Sequence, residues 1–365
     1  MSIERLNDFR SKVQDLRDII NSKKTEGLKI DSQKNFSYLT GGNGYIGFAS
    51  TASCATIIVT LKKLYLVANN IESQRLYEEQ LDKNKDVVIM EYPWYEESKK
   101  QELISQIVEE KKLLDEAEVA DEISSLRTKL SDHNKEELRI LCKESAIIVE
   151  NICKDLNADI TENELAGEIS KRLWEANIEP ITILIGFDER AEKYRHPVFV
   201  GNKLKNYALV AICTRRNGLI CSLTRNVLLT SDDKMIEKHE KCAYVDAVFT
   251  SNIVAGEKLS DVFLKGVSAY EEVGYEGEYK HHHQGGLTGF MAREIKANVD
   301  THHLIRVGEA YAFNPSIQGA KTEDTVLLTD NELEVLTYTG NYSYVEVEVD
   351  GITHIKPTVY VVNKK

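Results

Sequence analysis

A chain of 365 residues, 42% hydrophobic and 29% charged, is long enough for two domains or one large one, each with its own core. Its 46 basic against 59 acidic residues give a net charge of −13, which argues against nucleic acid or an anionic membrane surface as a partner. The six cysteines form no C-x-x-C pair, the N-terminal stretch is charged and not a secretory signal, and no apolar run spans a membrane, so a cytoplasmic location with reduced thiols is expected.

Ile3 to Asn21 places Leu6, Phe9, Val13, Leu16, Ile19 and Ile20 at helical spacing. A short strand follows at Leu28 to Ile30. Phe36 to Gly42 reads as a strand edge running into a glycine turn. Ala55 to Leu61 and Lys63 to Ala68 form a hairpin around Lys62, and a helix opens near Asn69 with Asn70 or Ser73 as its cap. Val87 to Met90 is a further strand. Alternating strands and helices make residues 1–115 an α/β domain.

Glu97 to Ser131 is charged and helical in pattern, and residues 116–135 read as a helical linker. Residues 136–365 follow as a second domain. It opens on an amphipathic helix from Glu136 to Leu156 and a second helix at Thr161, where Thr161-Glu-Asn-Glu164 is a capping box. Strands are expected at Ile181 to Phe187, Tyr207 to Thr214, Leu219 to Ser222, around Tyr311, and at Thr325 to Leu328, Leu333 to Thr337 and Val345 to Val349. A helix is expected at Ser260 to Val273.

Two stretches, Tyr207 to Arg225 and His281 to Gly289, resemble signature segments of the creatinase/aminopeptidase P/prolidase family, the pita-bread peptidases (M24). Ala310 to Pro315 and Gln318 to Thr325 resemble two more. The leading helix, Asn35 to Gly41 and Ala68 to Glu72 resemble the creatinase-like N-terminal domain of that family. The resemblance implies an α/β (α+β) fold: a creatinase-like N-terminal domain followed by a pita-bread catalytic domain built of two related halves. It also implies a homodimer.

Metal-dependent members hold their ions with two aspartates, a histidine and two glutamates, because hard divalent cations take several oxygen ligands. Anchored on Gly218, Thr224 and Arg225, the resemblance puts Ala211 and Ser222 at the aspartate positions. Gly286 falls at the histidine position and Asn314 at the first glutamate, and only Glu323 is retained. Alanine and glycine offer no side-chain donor, and serine and asparagine replace carboxylates poorly. No bound metal and no other cofactor is expected.

The resemblance also marks candidates for chemistry without an ion. His196 would be general base and acid, His282 a second acid or oxyanion donor, and Glu323 the orienting carboxylate. Arg293 would clamp a substrate carboxylate through its guanidinium fork. Arg195, His283, Asn314, Thr224 and Gly286 would complete the substrate pocket. His281-His282-His283 looks like a metal cluster, but consecutive side chains point apart, so no more than two of them can share an ion. His239 and His133 sit in charged helical stretches and read as solvated. Cys213 shares a strand face with Ala211 and reads as a small buried hydrophobe.

Three functions are open to such a chain. The first is a metal-independent hydrolase of a C–N bond in a small carboxylate-bearing substrate, or a lyase of the same kind. The second is an Xaa-Pro-type metallopeptidase with atypical ligands. The third is a non-catalytic binding protein on the same fold.

Overall fold

The structure is a computed structural model that describes residues 1–363. The chain divides into two compact units, Met1–His133 with Asn217–Leu219, and Asn134–Arg216 with Ile220–Lys365. Among the described residues no helix is long and apolar enough to cross a membrane, and all six cysteines are free.

The first unit is built on a mixed sheet. Its strands are β1 (Gly27–Ser32), β2 (Ala52–Thr60), β3 (Leu64–Asn69), β4 (Val87–Tyr92) and β5 (Leu113–Asp115), in the order β4-β3-β2-β1-β5. The β2–β3 hairpin is antiparallel, whereas β4 and β5 join parallel to β3 and β1. The helix Ile3–Ser22 is capped by Ser2, whose Oγ accepts from Arg5 N at 3.1 Å. It buries Phe9, Val13, Leu16 and Ile20 in the core.

Three expectations change here. Phe36 to Gly42 is not a strand edge but the end of a helix, Gln33–Thr40, closed by Gly41 at φ +66. All but Lys34 of its eight residues are buried, so no polar face marks the helical period. Asn69, and neither Asn70 nor Ser73, caps the next turn: its Oδ1 accepts from Ile71 N at 3.0 Å and Glu72 N at 3.2 Å. The stretch read as a linker lies mostly inside this unit. Val119 and Ile123, four apart, are buried in its core, and the Glu116 carboxylate accepts from Ser32 N at 2.6 Å and Asn35 Nδ2 at 2.6 Å.

The second unit opens with the helices Asp132–Lys154 and Glu162–Glu175, the latter with the expected Thr161–Glu164 capping box. One sheet comprises β6 (Glu179–Phe187), β7 (Tyr207–Arg216), β8 (Leu219–Thr230) and a late strand, Tyr360–Asn363, parallel to β8. A second sheet comprises β9 (Gly285–Thr288), β10 (Ile295–Lys296) and β11 (Ala310–Phe313), joined after the short pair β12 (Ser316–Ile317) and β13 (Ala320–Lys321) by β14 (Asp324–Leu328) and β15 (Leu333–Val335). A lone antiparallel bridge, Thr224 to Glu323, ties β8 to the residue before β14.

The helix Asp233–Ser251 was foreshadowed in the sequence only as a charged helical stretch around His239, without bounds and with a solvated reading. Ten of its 19 residues are buried, His239 and Asp246 among them, so its apolar stripe is blurred. It packs beside Leu259–Glu272, where Gly266 sets the approach: a Cβ there would stand 2.2 Å from the Phe249 ring, which itself stacks on Phe313 at 4.7 Å. Gly266→Ala is therefore expected to cost about 1–3 kcal/mol by overpacking despite its better helix propensity, read as a fall in the urea midpoint. An unchanged midpoint would show that this helix pair has slack.

Candidate functional site

Strand alternation builds the site. Ala211 and Cys213 of β7 share one face, and their register partners on β6, Leu184 and Thr182, share it with them. These four, with His196, His283, Arg293, Asn314, Lys321 and Glu323, line a cavity of about 150 Å³. Larger hollows of about 620 and 660 Å³ lie elsewhere in this unit, but neither gathers more than one histidine.

The Thr-Arg and Glu-Asp dipeptides dock as a matched pair. Thr224 Oγ1 donates to Glu323 Oε2 at 3.1 Å on the cavity side. On the opposite face Arg225 Nη1 donates to Asp324 Oδ1 at 2.9 Å, and Arg225 Nε to Glu150 Oε1 at 2.8 Å. Arg225 is fully buried and belongs to the scaffold, not the pocket.

Glu323 is nearly inaccessible and is held by Arg293 Nη2 at 2.6 Å and Lys321 Nζ at 3.6 Å. Burial works against its charge, but Lys321 and Arg293 outweigh it and keep the carboxyl below its ordinary range. It does not orient a histidine, as the sequence reading had it. Arg293 is committed as well: Nη2 goes to Glu323, while Nη1 reaches Ala292 O at 2.5 Å and Ser222 Oγ at 3.4 Å.

His196 and His282, 86 positions apart in sequence, meet with their Nε2 atoms 2.9 Å apart, one N–H donating to the other ring. His283 stacks on His282 at 4.4 Å. Burial, and then the charge of Lys321, lowers the pKa of His196 and takes that of His282 down to about 2. Burial, then Arg293, brings His283 down to about 4. The imidazoles are thus held neutral, each with an unprotonated ring nitrogen but weakened as a base. Burial raises the Cys213 thiol, which faces Ser222 Oγ at 3.2 Å, so it is no ready nucleophile.

Three expected pocket residues are not in the cavity lining: Thr224, whose hydroxyl is spent on Glu323, Arg195 and Gly286. The Arg195 guanidinium is paired with Glu278 and reaches Ser316 Oγ at 3.2 Å. Gly286 is flanked by Lys296 and Ala312 in the second sheet, and a Cβ on it would meet Ile295 O at 2.3 Å. Glycine at 286 keeps the β9–β10 pair together instead of opening room for substrate. His239 is not solvated but fully buried, its Nε2 2.9 Å from the Tyr207 hydroxyl. The sequence reading passed over Lys321. Its signal was position, two residues before Glu323 within the Gln318 to Thr325 segment.

Residues 12–140 match the family model of the Creatinase/Prolidase N-terminal domain. Over 90% of this chain and 98% of the other, the structure superposes on the prolidase from Pyrococcus horikoshii OT3 with a TM-score of 0.75 at 17% identity. The chain has the creatinase/prolidase, pita-bread fold. An X-Pro aminopeptidase from Thermotoga maritima MSB8 is similar over 90% of this chain and 97% of its own, with a TM-score of 0.72 at 15% identity. So is the N-terminal domain of the FACT complex subunit SPT16 from chickpea (Cicer arietinum), over 92% and 95%, with a TM-score of 0.66 at 14% identity. No curated protein sequence matches the chain. One pita-bread frame thus carries proteins with different names and tasks, and the site has to decide between them.

The residues that the sequence resemblance sets at ligand positions do not fit an oxygen-ligated ion pair. Ala211, Asn314 and Glu323 line one cavity, and Ser222 touches Arg293 at its edge. Glu323 is their sole carboxylate, and a guanidinium already occupies it.

Proposed function

We propose that this creatinase/prolidase-fold protein is a metal-independent hydrolase of a C–N bond in a small carboxylate-bearing substrate. The observation that carries this reading is the contact of two neutral imidazoles, His196 and His282, beside a cavity whose floor is the Arg293–Glu323 ion pair. His196, the more exposed of the two, takes a proton from the attacking water and returns it to the leaving nitrogen. His282 relays or shares that proton through the 2.9 Å contact. The Glu323 carboxylate, fixed as an anion, supports positive charge as it develops on the imidazoles. The negative net charge and free thiols support a cytoplasmic protein, and the fold supports a homodimer.

The test is a panel of N-acyl amino acids, guanidino acids and Xaa-Pro dipeptides offered to purified protein. Turnover is expected to survive a chelator and to fall by about 10²-fold or more in the His196→Ala/His282→Ala double variant. A double variant as active as wild type would end this reading.

A second reading has an observation of its own. One donor atom each from His196, His282 and His283 lies within 4.8 Å of the others, a grouping that suits a single transition-metal ion in place of the family's carboxylate cage. Against it, Lys321 and Arg293 bring positive charge to the same cavity. Elemental analysis decides: one equivalent of zinc, cobalt or manganese, with activity lost to a chelator, would establish this metallopeptidase-like alternative.

A further inference from the structure

The charges in the cavity do not balance. Its ionic side chains are Arg293, Lys321 and Glu323, and the histidines beside it are held neutral, so one positive charge is left over. Arg293 and Glu323 neutralise one another at 2.6 Å. The excess therefore sits on Lys321, whose side chain is only 5% exposed and whose one ionic partner among the described residues is Glu323, at 3.6 Å. That spacing is beyond hydrogen-bond reach. A buried cation without a full partner is costly and is relieved by an anion.

Chain geometry aims the ammonium. Lys321 ends β13 and shares its side of the chain with Glu323, two residues on. Asn314, in the same cavity wall, adds a side-chain oxygen that has no partner among the described residues. If that amide turns, its NH₂ becomes a donor beside the ammonium.

We infer that Lys321, rather than Arg293, is the residue that recognises the substrate's carboxylate, with Asn314 as a second donor, while Arg293 stays paired with Glu323. The inference deepens the hydrolase reading and rests on the cavity being a substrate site.

Acetate serves as the probe, since about 150 Å³ accommodates it. Binding is followed by calorimetry and by the ¹⁵N signals of the histidine side chains at pH 7. Wild type is expected to bind acetate saturably, to shift the imidazole signals, and to ignore trimethylammonium. Lys321→Met is expected to weaken acetate by about tenfold or more, and Lys321→Arg to retain it within a few-fold. Undiminished acetate binding in Lys321→Met overturns the inference. So does the absence of saturable acetate binding in wild type, or binding of the cation instead, and these two arms need no variant to fold. Acetate binding requires no turnover, so a failure of the hydrolase reading leaves this result standing. Loss of the double-histidine effect and loss of the lysine effect are separate outcomes.

Discussion

Replacing Arg225 with methionine is expected to remove about 3–5 kcal/mol of stability, one of the two largest effects proposed for this protein. The guanidinium is fully buried and all its sides are used. Nε meets Glu150 at 2.8 Å, Nη1 meets Asp324 at 2.9 Å and Thr224 O at 3.0 Å, and Nη2 meets Thr337 O at 2.9 Å. The Tyr342 ring covers it at 5.7 Å. Burial opposes its charge, yet Asp324 and Glu150 overcome this and raise its pKa above the ordinary value. Methionine fills the volume but strands two buried carboxylates. Lysine is expected to rescue little, because a point charge cannot serve three directions at once. Urea unfolding measures the loss. A loss below about 1 kcal/mol would mean that Glu150 and Asp324 find other partners or simply take up protons.

The second large effect is acid lability above the range where carboxylates protonate. Burial, then Lys238, takes the pKa of His239 down to about 3. Its Nδ1 has no partner among the described residues, and the Tyr207 hydroxyl donates onward to Asn226 Oδ1 at 2.9 Å. The neutral ring therefore donates from Nε2 to Tyr207, and a second proton would be buried with no acceptor. In the unfolded chain the same histidine takes its proton near pH 6.5. Between those values the unfolded state binds more protons, so stability is fully present above about pH 6.5 and falls as pH drops. One such group contributes a slope of about 1.4 kcal/mol per pH unit, or about 2 kcal/mol between pH 6.5 and 5. His282 and His283 act in the same direction. The unfolding midpoint, followed from pH 7.5 to 5, is expected to fall steadily, and His239→Gln to flatten the curve. A midpoint unchanged down to pH 5 would show that the His239 ring is charged in the fold after all.

The elements that were legible in the sequence are the ones with one wet face. Glu162–Glu175 announced itself by its capping box, and β6 and β7 by their apolar runs. Gln33–Thr40 and Asp233–Ser251 were misread or missed because burial wraps more than one face of each. Leu113–Asp115 became a strand through its parallel partner Gly27–Lys29, some 85 positions away, and nothing in its own three residues demands that. In the site, His196, His283, Arg293, Asn314 and Glu323 were legible through motif spacing. Arg195 and Gly286 share those motifs yet face Glu278 and the second sheet, because strand alternation and local turns, not proximity in sequence, choose the wall a residue joins.

Side-chain chemistry is local, so the sequence by itself determined which atoms are on offer. Alanine, serine, glycine and asparagine at 211, 222, 286 and 314 offer no carboxylate or imidazole at the positions where the resemblance expects ligands. Charge partnership is not local, and only the tertiary structure decided it. The fold sets Arg293 on Glu323, brings His196 to His282, and leaves Lys321 beside the cavity with Glu323 at 3.6 Å as its one ionic partner among the described residues. Glu323 and Lys321 are buried, so the partner each charge meets, and not the identity of the residue alone, fixes its protonation and its use.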